Sequence, residues 1–131
     1  LNFMKALLVS LLLVLSTGLY SQTVDCSGAK VGNFEIKQQG EVDKIKRTEE
    51  FQYETVGKIK ITTRIEWTSD CSYKLIFVKG NKAYYKATGA DKNNPGPDVL
   101  VDIVKQDGNV YYIQVHVEGA PQMDMKLVKV D

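Results

Sequence analysis

The chain has 131 residues, with 17 Lys+Arg against 16 Asp+Glu, one His, and two cysteines. That length suits one domain, and the even charge balance excludes the basic stripe from which nucleic-acid binders draw affinity. Basic and acidic residues interleave along the chain, the pattern of a solvated face.

The first stretch, LNFMKALLVSLLLVLSTGLYSQ, reads as a secretory signal peptide. Lys5 supplies the positive start, Ala6 to Leu15 the apolar core, and a Ser-Thr-Gly stretch leads to cleavage after Ser21. Met4 is the expected translation start. The apolar core is too short to cross a bilayer, which takes about 20 residues. Residues 1–21 are thus predicted to be removed, leaving 22–131 as a single β domain with no stable membrane insertion. The expected location is the periplasm or exterior of a Gram-negative bacterium. Lys5 is the only charged residue lost, so the mature chain is neutral. Disulfides persist outside the cytoplasm. Cys26 and Cys71 allow one intramolecular pairing, and no C-x-x-C spacing points to redox chemistry.

From there the chain alternates with period two. Val31 to Lys37 and Val42 to Arg47 are strand candidates. Phe51, Tyr53 and Thr55 alternate with Gln52 and Glu54. Val56-Gly57 is a turn, and Lys58 to Trp67 places Ile59, Ile61, Thr63, Ile65 and Trp67 on one face. The stretch RIEWTSDCSYKLIF forms a hairpin whose second strand runs from about Ser72 to Lys79. After a Gly80-Asn81 turn, Ala83 to Ala87 is taken as a further short strand. Residues 88–98, TGADKNNPGPD, form a loop. Val99 to Lys105 and Val110 to Glu118 make a hairpin about Asp107-Gly108, and Met123 to Val130 closes the chain.

Short strands joined mostly by tight turns predict an all-β antiparallel meander of about eight strands. Edges are removed by closure. A small up-and-down, lipocalin-like barrel, fully or incompletely closed, is therefore expected, with a β-sandwich as the alternative. The inward set is predicted as Phe34, Ile36, Phe51, Tyr53, Ile59, Ile61, Ile65, Trp67, Leu75, Phe77, Ile113, Val115 and Val117. Helix content should be low.

Several motifs stand out. Cys26-Ser27 is followed by Gly32-Asn33-Phe34, and an Arg-x4-Gln-x-Glu run falls at Arg47, Gln52 and Glu54. An I-E-W-x3-C-x-Y-x-L pattern covers Ile65, Glu66, Trp67, Cys71, Tyr73 and Leu75, and Met125 to Val128 ends the series. In these the chain resembles a group of short exported bacterial proteins of unknown function, many carrying the label "DNA topoisomerase IV". It departs from them in a longer Asn-Pro-Gly-Pro loop. The resemblance implies export, a disulfide and the fold, and no activity. A topoisomerase needs a large DNA-gripping chain with a tyrosine nucleophile and acidic metal ligands, so the label does not transfer.

Arg47, Gln52 and Glu54 are the leading ligand-binding candidates. They make either a cross-strand ion pair on the sheet surface, worth a few tenths of a kcal/mol, or a polar cluster at a barrel mouth where Arg47 holds a carboxylate. Trp67, Tyr73 and Phe77 either line a pocket or pack as core pairs. His116, the only histidine, reads as a solvated strand residue, and no nucleophile-elbow motif accompanies it. Asp91-x-Asn93 echoes a calcium loop, but Pro95 occupies a ligand position. No metal site, cofactor or catalytic set is expected. The reading is a non-catalytic binding module for a small apolar or amphipathic ligand. The alternative is a cell-envelope protein-interaction domain with a filled core, and a cavity of about 300 Å³ or more would separate the two.

Overall fold

The structure, a computed structural model, describes residues 24–131; the signal-peptide segment 1–21 lies outside them. Eight strands follow one another: β1 (Gly32–Gln38), β2 (Glu41–Arg47), β3 (Phe51–Val56), β4 (Ile59–Ser69), β5 (Ser72–Gly80), β6 (Val99–Asp107), β7 (Val110–Val117) and β8 (Met123–Lys129). Each pairs antiparallel with its sequence neighbour, and β8 returns to β1, giving a closed barrel. The sandwich alternative is thereby set aside. Except for the β5–β6 connection, which carries a helix, successive strands are linked by short turns, and every strand pairs with its sequence neighbour, so no crossover builds a second sheet.

Turn chemistry fixes the registers. Between β1 and β2 the two loop residues, Gln39 and Gly40, have φ of 48° and 81°, the left-handed pair that matches strand twist in a two-residue hairpin. Register follows from Gln38↔Glu41 up to Gly32↔Arg47. Inward positions then alternate as a pleated strand requires, and the core gathers Phe34, Ile45, Ile65, Tyr73, Leu75, Val101, Ile103, Tyr111, Ile113, Val115 and Leu127.

Two expectations are corrected. The segment Ala83 to Ala87 is not a strand but part of a helix, α1 (Lys82–Thr88). The Asn81 side chain caps it by accepting from the Tyr84 N–H at 3.0 Å, and Gly89, at φ 72°, ends it in the left-handed region. Its tyrosines rest on Phe77, with ring centroids 5.4 Å away for Tyr84 and 6.3 Å for Tyr85. The second correction concerns β3. Tyr53 is 41% exposed, whereas Gln52 is buried at 2%. Phe51 and Tyr53 face outward, and Gln52 and Glu54 face the interior. Arg47↔Gln52 and Ile45↔Glu54 are paired, so the inward face of β2 commits β3 to turn its polar side in.

Candidate functional site

One end of the barrel is plugged. A single 3-10 turn, Ser27–Ala29, sits there with Cys26 and Ala29 buried. Asp25 accepts from the Ser27 N–H and hydroxyl at 3.0 and 2.7 Å, which holds its carboxyl below the ordinary range. Cys26 is bonded to Cys71 in the β4–β5 turn, with Cα atoms 5.4 Å apart. The predicted pairing is thus present, and it staples the plug to the barrel. The hairpin cysteine stands at the mouth of its turn because that turn is where the plug lies.

Beneath the plug Arg47 is buried at 2% exposure. Its guanidinium donates to Gln52 Oε1 twice (3.0 and 2.6 Å), to the Ala29 carbonyl (2.7 Å) and to the Tyr73 hydroxyl (3.1 Å). The Phe34 and Tyr73 rings lie 5.1 and 4.6 Å from it. Every one of these partners is uncharged. The Arg47–Glu54 ion pair, one of the two readings of this cluster, is absent; among the described residues Arg64 and Glu66 make an ion pair. A buried cation is tolerated only when its donors are satisfied, and this hydrogen-bond fork is what satisfies them. Lys129 repeats the device at the surface, donating to the Gly28 carbonyl at 2.8 Å. Plug carbonyls therefore occupy two cations of the barrel wall.

Toward the other end lies an interior cavity of about 180 Å³. Its wall is mostly apolar, with Ile45, Leu75, Val101, Ile113, Val115 and Leu127 among the lining residues. Arg47, Gln52 and Tyr73 form its floor, and Asp43, Glu54 and Gln38 stand nearer the β1–β2 turn. Asp43 Oδ1 is buried with no donor among the protein groups around it. Burial, together with the hydrogen bond and charge of the adjacent Glu54 carboxyl, pushes the Asp43 carboxyl up to about 9. Sequence reasoning passed over Asp43, although the alternation Asp43, Ile45, Arg47 along β2 was the signal that places it inward.

The four candidates Arg47, Gln52, Glu54 and Tyr73 line this cavity together. Trp67 and Phe77 do not. Trp67 packs on Tyr73 at 4.8 Å between centroids, with the Lys30 ammonium 5.1 Å from its ring, and Phe77 packs under α1. A third polar group gathers outside the barrel. Asp102 accepts from the Ser72 hydroxyl at 2.6 Å and meets His116 Nε2 at 3.2 Å. The carboxylate stands between serine and histidine, so the histidine is not placed to take the serine proton. The arrangement is a cross-strand polar cluster and lacks the order of a hydrolytic triad.

The barrel wall is uneven. Seven residue pairs join β1 to β2, but only Phe34↔Lys129 and Glu35↔Val128 join β1 to β8. Past that point a cleft of about 400 Å³ opens on the outside, lined by Lys37, Gln38, Val104, Tyr112, Lys126 and their neighbours.

No family model, curated protein or solved structure matches the chain.

Proposed function

We propose that this protein is an exported, non-catalytic binding barrel whose interior receives one small apolar or amphipathic ligand. The observation that carries the reading is the cavity of about 180 Å³ between the Arg47 floor and the Asp43–Glu54 pair. Eight-stranded barrels have interiors just wide enough to be filled by side chains or to hold one small ligand. An apolar cavity of about 150 Å³ takes benzene, so a compact ligand or the tail of a longer one fits. The disulfide agrees with an oxidising compartment, and with the resemblance to short exported bacterial proteins it supports placement in the periplasm or outside the cell.

The second reading, an envelope protein-interaction domain, draws support from the same volume. Drug-sized ligands occupy pockets of roughly 300–1,000 Å³, and this interior is smaller. Native mass spectrometry of the protein recovered from periplasm separates the two. A co-purifying small molecule, released on unfolding, is the expected result; a bare chain at monomer mass favours the interaction domain.

A further inference from the structure

The register shows which residues would face one another across the split between β1 and β8. Continuing the ladder beyond Glu35↔Val128 would set Ile36 opposite Leu127, Lys37 opposite Lys126 and Gln38 opposite Met125. Like charges directly opposite each other across a ladder are unfavourable. Pairing stops two steps before the two lysines would meet, with Ile36 and Leu127 also left unpaired. Their surroundings are also basic. Tyr112 on β7 is paired with Lys105 on one side and Lys126 on the other. Their ammonium groups lie 5.1 and 5.5 Å from its ring. A β-bulge between Ile103 and Lys105 sets that alignment. Asp124 is the acidic residue lining the cleft, and the Gln122 amide donates to it at 3.0 Å.

The outer cleft and the inner cavity also share residues. Gln38, Ile113 and Met125 line both, and Ile113 is an inward residue, 3% exposed. The wall between outside and inside is one side chain thick at the split. An apolar interior thus adjoins a cleft where lysines converge without a matching number of carboxylates.

We propose that the β1–β8 split is a side entrance to the interior, and that its outer cleft holds the head group of a free single-chain carboxylate between Lys37 and Lys126. The tail passes Gln38 and Met125 into the cavity. The carboxylate supplies the negative charge the two lysines lack and offsets the repulsion between them. This inference rests on the binding reading above and adds the ligand class and the route.

The test is calorimetric titration of the disulfide-intact protein with octanoate, 1-octanol and octylamine, followed by amide chemical-shift mapping. Octanoate should bind tightest and shift amides of Lys37, Tyr112 and Lys126. The double variant Lys37→Glu/Lys126→Glu, checked for an unchanged β-sheet circular dichroism spectrum, should weaken octanoate by about tenfold or more while leaving octanol within about twofold. The single variant Lys126→Gln serves as a milder probe should the double variant lose its fold, and should weaken octanoate severalfold. Octylamine binding more tightly than octanoate would assign the head group to the Asp43–Glu54 pair and overturn the proposal, with the binding reading left standing. Octanoate binding indifferent to both lysine variants would overturn it as well. Failure of all three probes to bind would remove the binding reading itself.

Discussion

Asp43 is the residue whose chemistry runs most against stability. Its carboxyl keeps a proton up to about 9 in the folded protein against an ordinary 3.8. Between those values the unfolded chain binds fewer protons than the folded one, so stability falls as pH rises through that window. The contribution is complete below about 3.8 and lost by about 9. Asp43→Asn keeps a donor beside Glu54 and removes the titration. It should stabilise the protein at pH 7 by about 1–2 kcal/mol, less than the full shift implies because the pair is partly solvated. Urea denaturation at pH 5, 7 and 9 checks this: the wild type should lose stability along the series, and the variant should flatten it. Arg47 behaves in the opposite way. Arg47→Met leaves Gln52, the Ala29 carbonyl and Tyr73 without their donor, and should cost about 3 kcal/mol in the same assay. Arg47→Lys should also destabilise, since an ammonium cannot reproduce a planar fork.

Among the elements, the plug is the most dependent on long-range bonds. A three-residue turn (Ser27–Ala29) has little structure of its own. It is fixed by the disulfide, by Arg47 and by Lys129. Closing a loop of 45 residues is worth about 4 kcal/mol on the loop-entropy argument. Cys26→Ser/Cys71→Ser should therefore lower the urea midpoint sharply without changing strand content by circular dichroism. Gly28 gives a finer probe. A Cβ there would meet the Tyr111 hydroxyl oxygen at 2.5 Å, and Tyr111 is buried at 2%. Gly28→Ala should cost about 1–2 kcal/mol by overpacking, read as a lower thermal midpoint. Elements of this kind are poorly legible in sequence. The cysteines announced a bond, but nothing local announced that the turn beside Cys26 would be docked over a guanidinium 18 residues away. For α1 the caps Asn81 and Gly89 were present in the sequence. At seven residues, with tyrosines that suit strands equally well, its interior could not outvote the surrounding alternation.

Across the whole molecule, the meander was legible because all but one of its strand links are tight turns and its strands mostly alternate. Lys58 to Trp67 faces as read, with Thr63 and Ile65 buried. The site was only half legible. Arg47, Gln52, Glu54 and Tyr73 meet around one cavity, but the hydrophobicity of Phe51 and Tyr53 argued for the wrong face of β3. Barrel closure decides that face by register, through the pairings of β3 with β2 and β4 and not by the apolarity of a single strand. The outcome is a barrel stapled shut at one end, polar on its floor, apolar along its wall and carboxylic near its mouth.

Methyl-resolved NMR of the disulfide-intact protein under xenon pressure tests that interior space without presuming any head group, since xenon enters dry apolar cavities of about this size. Saturable shifts are expected at the methyls of Ile45, Leu75, Ile113, Val115 and Leu127, which line the cavity, with none at the outward Val78 and Leu100. Unperturbed inner methyls, or shifts confined to the outer surface, would contradict an interior able to receive a ligand.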